Sequence, residues 1–539
     1  MQEISKLKNQ VNMDRRSAIR NGATLVGAGM LGVIVPSQIQ SSNQNNSHFF
    51  NVKDFGATGK RDDKATIPVR NAIEACTNSG GGLVYVPPGD YTVGTIQLKD
   101  NVTLHLEAGA TFFLSQDSVD FIQGARTMIF AENANNIAVT GRGTLDGLAK
   151  YEYVDERGDD VEISEEREIA RKVGIEIKRY YRIGMQTYMF ILNDCTNILL
   201  QDFTLINSPL WNIRLNDCNR VFVRGVYIYS DLEKGVNADG IDICSTSNVT
   251  ISDSVIITAD DAIVLKTPRN RNRDKVNPIE NVVVTNCILG SSSTPLMIGT
   301  ETFADINHVI FSNCTIRNSN KAIGINVQDG CTVSNVIFRN LTVETNRRHY
   351  NWWGSAEFCK FVLKKRSDFE KVAESKLGQI KDVIVDTIIS QIRGTSTITG
   401  HPDQPLENIR MNNVQIFMTP EDAKDKRTTD AMVIQNVNGL KINDMTIKWD
   451  EEEPEAKWKG ALVLKNVNDF EIRSFSGRQG LKNSSNPAIS LENISEGLIC
   501  ESRAEAGCST FIQMKEKEKA NLILRNNNLI KAKKDINYI

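Results

Sequence analysis

The chain has few aromatic residues (7%), only five histidines and little excess charge, with a formal net charge of −3. The near-neutral balance excludes the basic excess that general nucleic-acid binding would need, so no nucleic-acid partner is expected. Scarce aromatics leave Val, Ile and Leu to build the core, which favours β structure. The ten cysteines are scattered, with neither paired CxxC motifs nor the density of a small disulfide framework. Several of them (Cys195, Cys218, Cys287 and Cys314) recur within repeated phrases and read as a stacked ladder of small core side chains. No apolar run is long enough for a comfortable membrane span. With 40% apolar and 24% charged residues, the chain is globular rather than disordered.

One apolar stretch, Gly22–Pro36, follows a charged segment containing Arg15-Arg16 and precedes the polar run Ser37–Ser47. A charged region before a short apolar core is the pattern of an export signal, here twin-arginine-like. Residues 1–46 are therefore expected to be an export signal and linker. Residues 47–539 are expected to form one domain, exported to the periplasm or beyond and without a membrane span after export.

An internal repeat organises that domain. It opens with Asn or a substitute, continues with alternating apolar residues, and meets Asn, Asp or Gly before a second apolar pair. Copies start at Asn197 (NILLQDFTL), Arg220, Asn248 (NVTISDSVII), Asn281, His308, Asn335, Asp382, Asn408 and Gly439. A spacing of roughly 22–33 residues is that of a solenoid and too short for four-stranded propeller blades. Alternation of apolar and polar residues marks short strands with one buried face. The expected fold is all-β: a coil of short parallel strands, each turn burying its inner face on its neighbours. An amphipathic segment at about Ala65–Thr77 predicts a short helix capping the open N-terminal end. Residues 150–185 and 344–380 lack strand alternation and predict loop insertions over one face, where binding groups are usually carried.

The chemistry concentrates in Val236–Thr267, VNADGIDICSTSNVTISDSVIITADDAIVLKT. Asp239 and Asp261 lie about one short repeat apart, so adjacent coils would bring Asp239 beside Asp260 and Asp261, roughly 4.8 Å away. Crowded carboxylates repel one another and at least one pKa rises, which supplies an acid and a base at one pH. Glycoside hydrolysis uses such a set, with inverting enzymes holding acid and base about 6.5–9.5 Å apart. Turn aspartates or Ca²⁺ ligands would show the same spacing.

These residues carry a family resemblance. Besides NADGID and ITADDAIVLKT, the chain holds FNVKDFGA, VYVPPGDY, LHLEAGAT and NSPLWNIRL, and over Phe50–Glu357 it resembles glycoside hydrolase family 28, the polygalacturonase-like family. WWGSAEF is similar to bacterial members. The resemblance implies a right-handed parallel β-helix, no cofactor and no catalytic metal. It also implies Asp260 as proton donor and Asp239 with Asp261 as the pair holding the attacking water. Two family motifs are absent. SSSTPLMIGTE puts Ser293-Thr294-Pro295 where a histidine is usual, and AIGINVQDG puts Gly324 and Asn326 where an Arg-x-Lys pair grips a galacturonate carboxylate. Neutral residues cannot form that charge-assisted clamp.

Other groups are therefore expected to bind substrate: Asn237, Lys266, and Arg347, Arg348, His349, Tyr350, Trp352 and Trp353 of the later insertion, with the basic run Pro268–Lys275 nearby. Together they suggest an acidic polysaccharide or oligosaccharide, plant or algal, as the partner. Three functions remain open at this point. One is an inverting hydrolase. Another is a lyase or dehydratase using Lys266, Arg348, His349 or Tyr350 around an enolate-like charge. The third is a non-catalytic carbohydrate-binding solenoid.

Overall fold

The computed structural model describes residues 48–149, 152–153, 167–168, 170–175, 180–181, 186–232, 234–269, 275–348, 354–366, 376–424, 426–482 and 484–539. The expected export segment, most of 150–185, and His349, Tyr350, Trp352 and Trp353 lie outside these residues. Ser47–Ile539 forms one compact unit.

Nearly every strand pairs in parallel with a strand one coil before it and one coil after it. The chain is thus a parallel β-helix, wound right-handed as parallel crossovers are. The repeat explains the bends. Each repeat-opening residue adopts a positive φ: Asn197, Arg220, Asn248, Asn281, His308, Asn335, Asp382, Asn408 and Gly439. Each partner five residues on does so too: Asp202, Gly225, Asp253, Asn286, Asn313, Asn340, Thr387, Asn413 and Asp444. This left-handed region suits Asn, Asp and Gly, whose short side chains or missing Cβ tolerate it. The opening Asn side chains also bond along the stack, as Asn281 does in donating to Asn248 at 3.0 Å. Two such bends per turn fold the chain back on itself without a long loop.

Inside, Val, Ile, Leu and Phe stack coil upon coil; Phe338, for example, lies between Phe311 and Phe361, at 4.9 and 5.8 Å between ring centroids. All ten cysteines are buried and unpaired. The four that recur in the repeat form two ladders, not one. Thr196 pairs with Asn219, which sets Cys195 on Cys218, while Ile288 pairs with Thr315 and sets Cys287 on Cys314 at a different corner. Helix α1, Thr66–Asn78, buries Val69, Ala72, Ile73 and Cys76 against the first coils. Its Arg70 donates to the carbonyls of Thr95 and Asp120, both at 2.8 Å.

Six strands of one column carry the site: β1 (Ile213–Asn216), β2 (Ile241–Cys244), β3 (Ile263–Thr267), β4 (Leu296–Thr302), β5 (Lys321–Val327) and β6 (Glu357–Leu363). They pair in that order. β6 corrects an expectation, because it lies within the 344–380 stretch read as loop. EFCKFVL is not introduced by an Asn bend, so the repeat does not announce it. In the 150–185 stretch, Glu152–Tyr153 pairs antiparallel with Tyr180–Tyr181. Among the described residues, no helix is long and apolar enough to cross a membrane.

Candidate active site

Asp239 sits just before β2, and Asp260 and Asp261 just before β3. The amide of Gly240 donates to the Asp261 carbonyl at 2.9 Å, and Ile241 pairs with Ile263, so Asp239 and Asp261 occupy equivalent places on adjacent coils. Gly240 permits this approach, since a Cβ there would lie 2.3 Å from the Ala262 carbonyl oxygen. Asn237 enters the turn at φ 54°. Buried Asn212 holds the turn from the previous coil, its backbone and side-chain nitrogens both donating to the Asp239 carbonyl, at 2.9 and 2.8 Å. The Asp260 carbonyl accepts from Thr258 and Ser291, at 2.8 and 2.7 Å.

Carboxylate oxygens of Asp239, Asp260 and Asp261 all lie within 4.8 Å of one another. The three side on to a cavity of about 350 Å³, together with Asn237, Lys266 and Trp211. All are buried, at 2%, 6% and 9% exposure. Asp260 accepts the Asp261 amide at 2.9 Å, and Asp261 accepts the Thr294 amide at 3.1 Å. The Oδ1 atom of Asp239 has no hydrogen-bond partner among the described residues.

Burial raises all three pKa values, because the charged form loses its hydration. Asp260 is pushed well above the ordinary carboxylate range by burial and by the charges of Asp239 and Asp261. Asp261 is raised to about 6 by burial and Asp239, against the opposing pull of Lys266 and Lys321. Asp239 is raised by burial, with Lys266 countering. The site thus holds its proton most firmly on Asp260.

Lys266, expected to contact substrate, lines the cavity and is held by carboxylates. Its ammonium lies 3.1 Å from Asp239 and 2.7 Å from Asp242, 4.1 Å from the centroid of the Trp211 ring. Burial alone would lower its pKa, but Asp239, Asp242 and Glu301 raise it well above the ordinary lysine value. It is a fixed counter-charge to the carboxylates. The aspartate trio could also ligate a divalent cation, although the Lys266 ammonium already occupies one side of Asp239 and would repel it.

The expected basic insertion residues divide. Arg347 pairs with buried Glu421 at 3.3 Å, and Arg348 donates to the Asn318 carbonyl at 3.0 Å; neither lines the cavity. Of the Pro268–Lys275 run, Arg269 stacks on Phe303 at 4.6 Å. Gly324 and Asn326 do reach the cavity, joined by residues the motif reading missed: Trp211, Glu301, Lys321, Gln328, Lys360 and Lys364. Trp211 could have been found, since it stands one repeat before Asp239. Lys360 could not, because no repeat motif announces its strand.

A sequence model described as glycosyl hydrolases family 28 matches residues 76–429, well over half of the chain. Among curated proteins, a probable polygalacturonase of Vitis vinifera is 26% identical over 240 residues, covering 41% of this chain and 44% of its own length. A probable rhamnogalacturonase B of Aspergillus oryzae is 26% identical over 291 residues, covering 52% and 46%. The chain spans just under half the length of these relatives. The solved family 28 exopolygalacturonase of Yersinia enterocolitica superposes with a TM-score of 0.61 at 20% identity, covering 78% of each chain, which supports the fold. The chain belongs to glycosyl hydrolases family 28.

Proposed function

We propose that this chain is a glycoside hydrolase cleaving a uronate-containing pectic polysaccharide or its oligosaccharides. The observation that carries it is the buried trio at the cavity wall, with one carboxyl holding its proton and two beside it able to ionise. Asp260 protonates the leaving oxygen. Asp239 and Asp261, equivalent on adjacent coils, accept hydrogen bonds from one water, orient it and take its proton. The polygalacturonase and rhamnogalacturonase names of the relatives support the substrate class. A polysaccharide substrate also fits export directed by residues 1–46.

Two of the four residues that elimination would use are engaged elsewhere. Lys266 is locked between two carboxylates, and Arg348 is turned to a backbone carbonyl. Neither is placed to act as the base or to stabilise an enolate-like charge. On acidic pectic oligosaccharides the products should therefore total one water more than the substrate and gain no ultraviolet absorbance. An unsaturated product would sink the hydrolase reading.

The stereochemical proposal is inversion, with the Asp239–Asp261 pair delivering water directly to the anomeric carbon. One observation favours retention instead: oxygens within 4.8 Å are closer than the usual inverting separation of about 6.5–9.5 Å. Proton NMR during the first minutes of hydrolysis decides between them. Inversion is expected, and a first-formed product of unchanged anomeric configuration would identify a covalent route.

Asp261 also sets a pH dependence. The base must be ionised, and burial raises Asp261 to about 6. Activity should fall as pH drops through about 6, the acid limb of kcat/KM reporting the coupled pair. The alkaline limb reports loss of the Asp260 proton. A profile flat down to pH 4 would contradict Asp261 as part of the base.

A further inference from the structure

One strand of the site column makes a detour. β3 and β4 pair residue for residue as far as Leu265 and Ile298, and again at Thr267 and Thr302. Between those points Lys266 of β3 stands opposite three residues of β4, Gly299, Thr300 and Glu301. The extra residues leave the ladder as a bulge, a device that re-aims side chains beside active sites. Gly299 makes the departure possible. Its φ is 107°, and a Cβ there would lie 2.2 Å from the Asn326 carbonyl oxygen. All three residues of the bulge line the cavity.

The bulge is tied at both ends by one ion pair. Arg366 meets the two carboxylate oxygens of Asp329 at 2.7 and 2.8 Å, a bidentate geometry that fixes their relative orientation. The same guanidinium donates to the Thr300 carbonyl at 2.7 Å, and Asp329 accepts the Thr302 amide at 2.9 Å. Glu301, between those two anchors, is half-buried. Its carboxylate accepts a long hydrogen bond from the Thr300 hydroxyl, at 3.5 Å.

Outside the trio, Glu301 is the one carboxylate on the cavity wall among the described residues. Its charge makes Asp239 harder to ionise, and a base that must ionise gains nothing from such a neighbour. Lys266, which also feels that charge, is already bound to Asp239 and Asp242. The other cations of the cavity, Lys321, Lys360, Lys364 and Arg366, stand on later coils. A sugar carboxylate would therefore be repelled from this wall, whereas a sugar hydroxyl would donate to it.

We propose that Glu301 determines specificity by accepting hydrogen bonds from ring hydroxyls of the sugar whose anomeric carbon faces the trio. The bulge aims it, and the Arg366–Asp329 pair holds it in place. It binds substrate without taking part in the proton transfers. This rests on the carbohydrate-cleaving reading of the trio but assigns recognition to a residue outside it.

The test uses three probes: a methyl digalacturonide and its 2-deoxy and 3-deoxy forms, altered on the non-reducing ring. Binding is measured by calorimetry on the full chain carrying Asp260→Asn, with and without Glu301→Ala, and turnover on the unchanged chain. Glu301→Ala should weaken binding of the complete probe by about 10–100-fold, as loss of a hydrogen bond to a charged group does. At least one deoxy probe should bind more weakly than the complete one and lose little further on Glu301→Ala, because the same bond is removed from either side. Glu301→Gln, which keeps an acceptor without the charge, should fall between. Equal weakening of all three probes by Glu301→Ala, no weakening of any, or failure of the complete probe to bind would overturn the proposal. The coupled pattern without turnover would leave it standing and reject the hydrolase reading instead.

Discussion

Asp260→Asn should lower kcat on pectic oligosaccharides by about 10²–10⁴-fold, the usual worth of a positioned general acid, without loss of the fold. The amide is nearly isosteric and can still accept the Asp261 N–H that Asp260 accepts at 2.9 Å. It cannot give a proton to a departing sugar oxygen. The loss should shrink several-fold or more on an aryl glycoside, whose leaving group needs less protonation. An equal loss on both substrates would remove Asp260 from the acid role. Stability moves the other way. A carboxyl whose folded pKa is raised above 3.8 favours the fold fully below that pH, and this stabilisation is lost as pH rises through the raised value. The asparagine variant does not titrate. Its melting temperature relative to the unchanged chain should therefore climb from pH 4 to pH 7. Activity and stability are in opposition at this residue, as expected where a site keeps a carboxyl out of water.

The fold was legible because its bends need a special backbone. Asn197, Asn248 and Asp382 open visible repeats for the same reason that they sit at positive φ. Strand alternation then follows between bends, and register follows from stacking. Asp239 beside Asp261 was legible on the same ground, one repeat being one coil. The rest of the cavity was hidden where that regularity breaks. Lys360 reaches it only because β6 rejoins the column after an irregular segment, and nothing in EFCKFVL marks a bend. The pairing of Lys266 was hidden for another reason. Its position in the motif was visible, but Asp242 was not recognised as its partner. Asp242 lies in β2 and pairs with Val264, so its side chain leaves the same face of the column as the site and becomes buried beneath it. A count of charges in the sequence does not show which of them cancel in space.

Lys266→Met tests that cancellation directly and should cost about 3–5 kcal/mol of stability at neutral pH, the usual price of stripping a buried ion pair of one member. The methionine can follow much of the lysine stem beside Trp211, so little packing is lost. What remains is Asp239 and the fully buried Asp242 with no ammonium at 3.1 and 2.7 Å. Burial already raises both carboxyls. Without Lys266 they rise further. Lys266 itself, raised above 10.5, stays charged throughout pH 4–8, so its stabilisation is present across that range and is lost only as pH rises through its raised value. The variant's deficit should consequently be largest near pH 8 and shrink toward pH 4, as the orphaned carboxyls take up protons. The acid limb of activity should move to higher pH, because Asp239 is harder to ionise. Thermal unfolding against pH checks the first point, and kcat/KM against pH the second. Lys266→Met combined with Asp242→Asn should recover much of the stability but not the activity, since one buried charge is gone while Asp239 still lacks its counter-ion. A double variant with normal hydrolysis would return Lys266 to the role of a substrate contact.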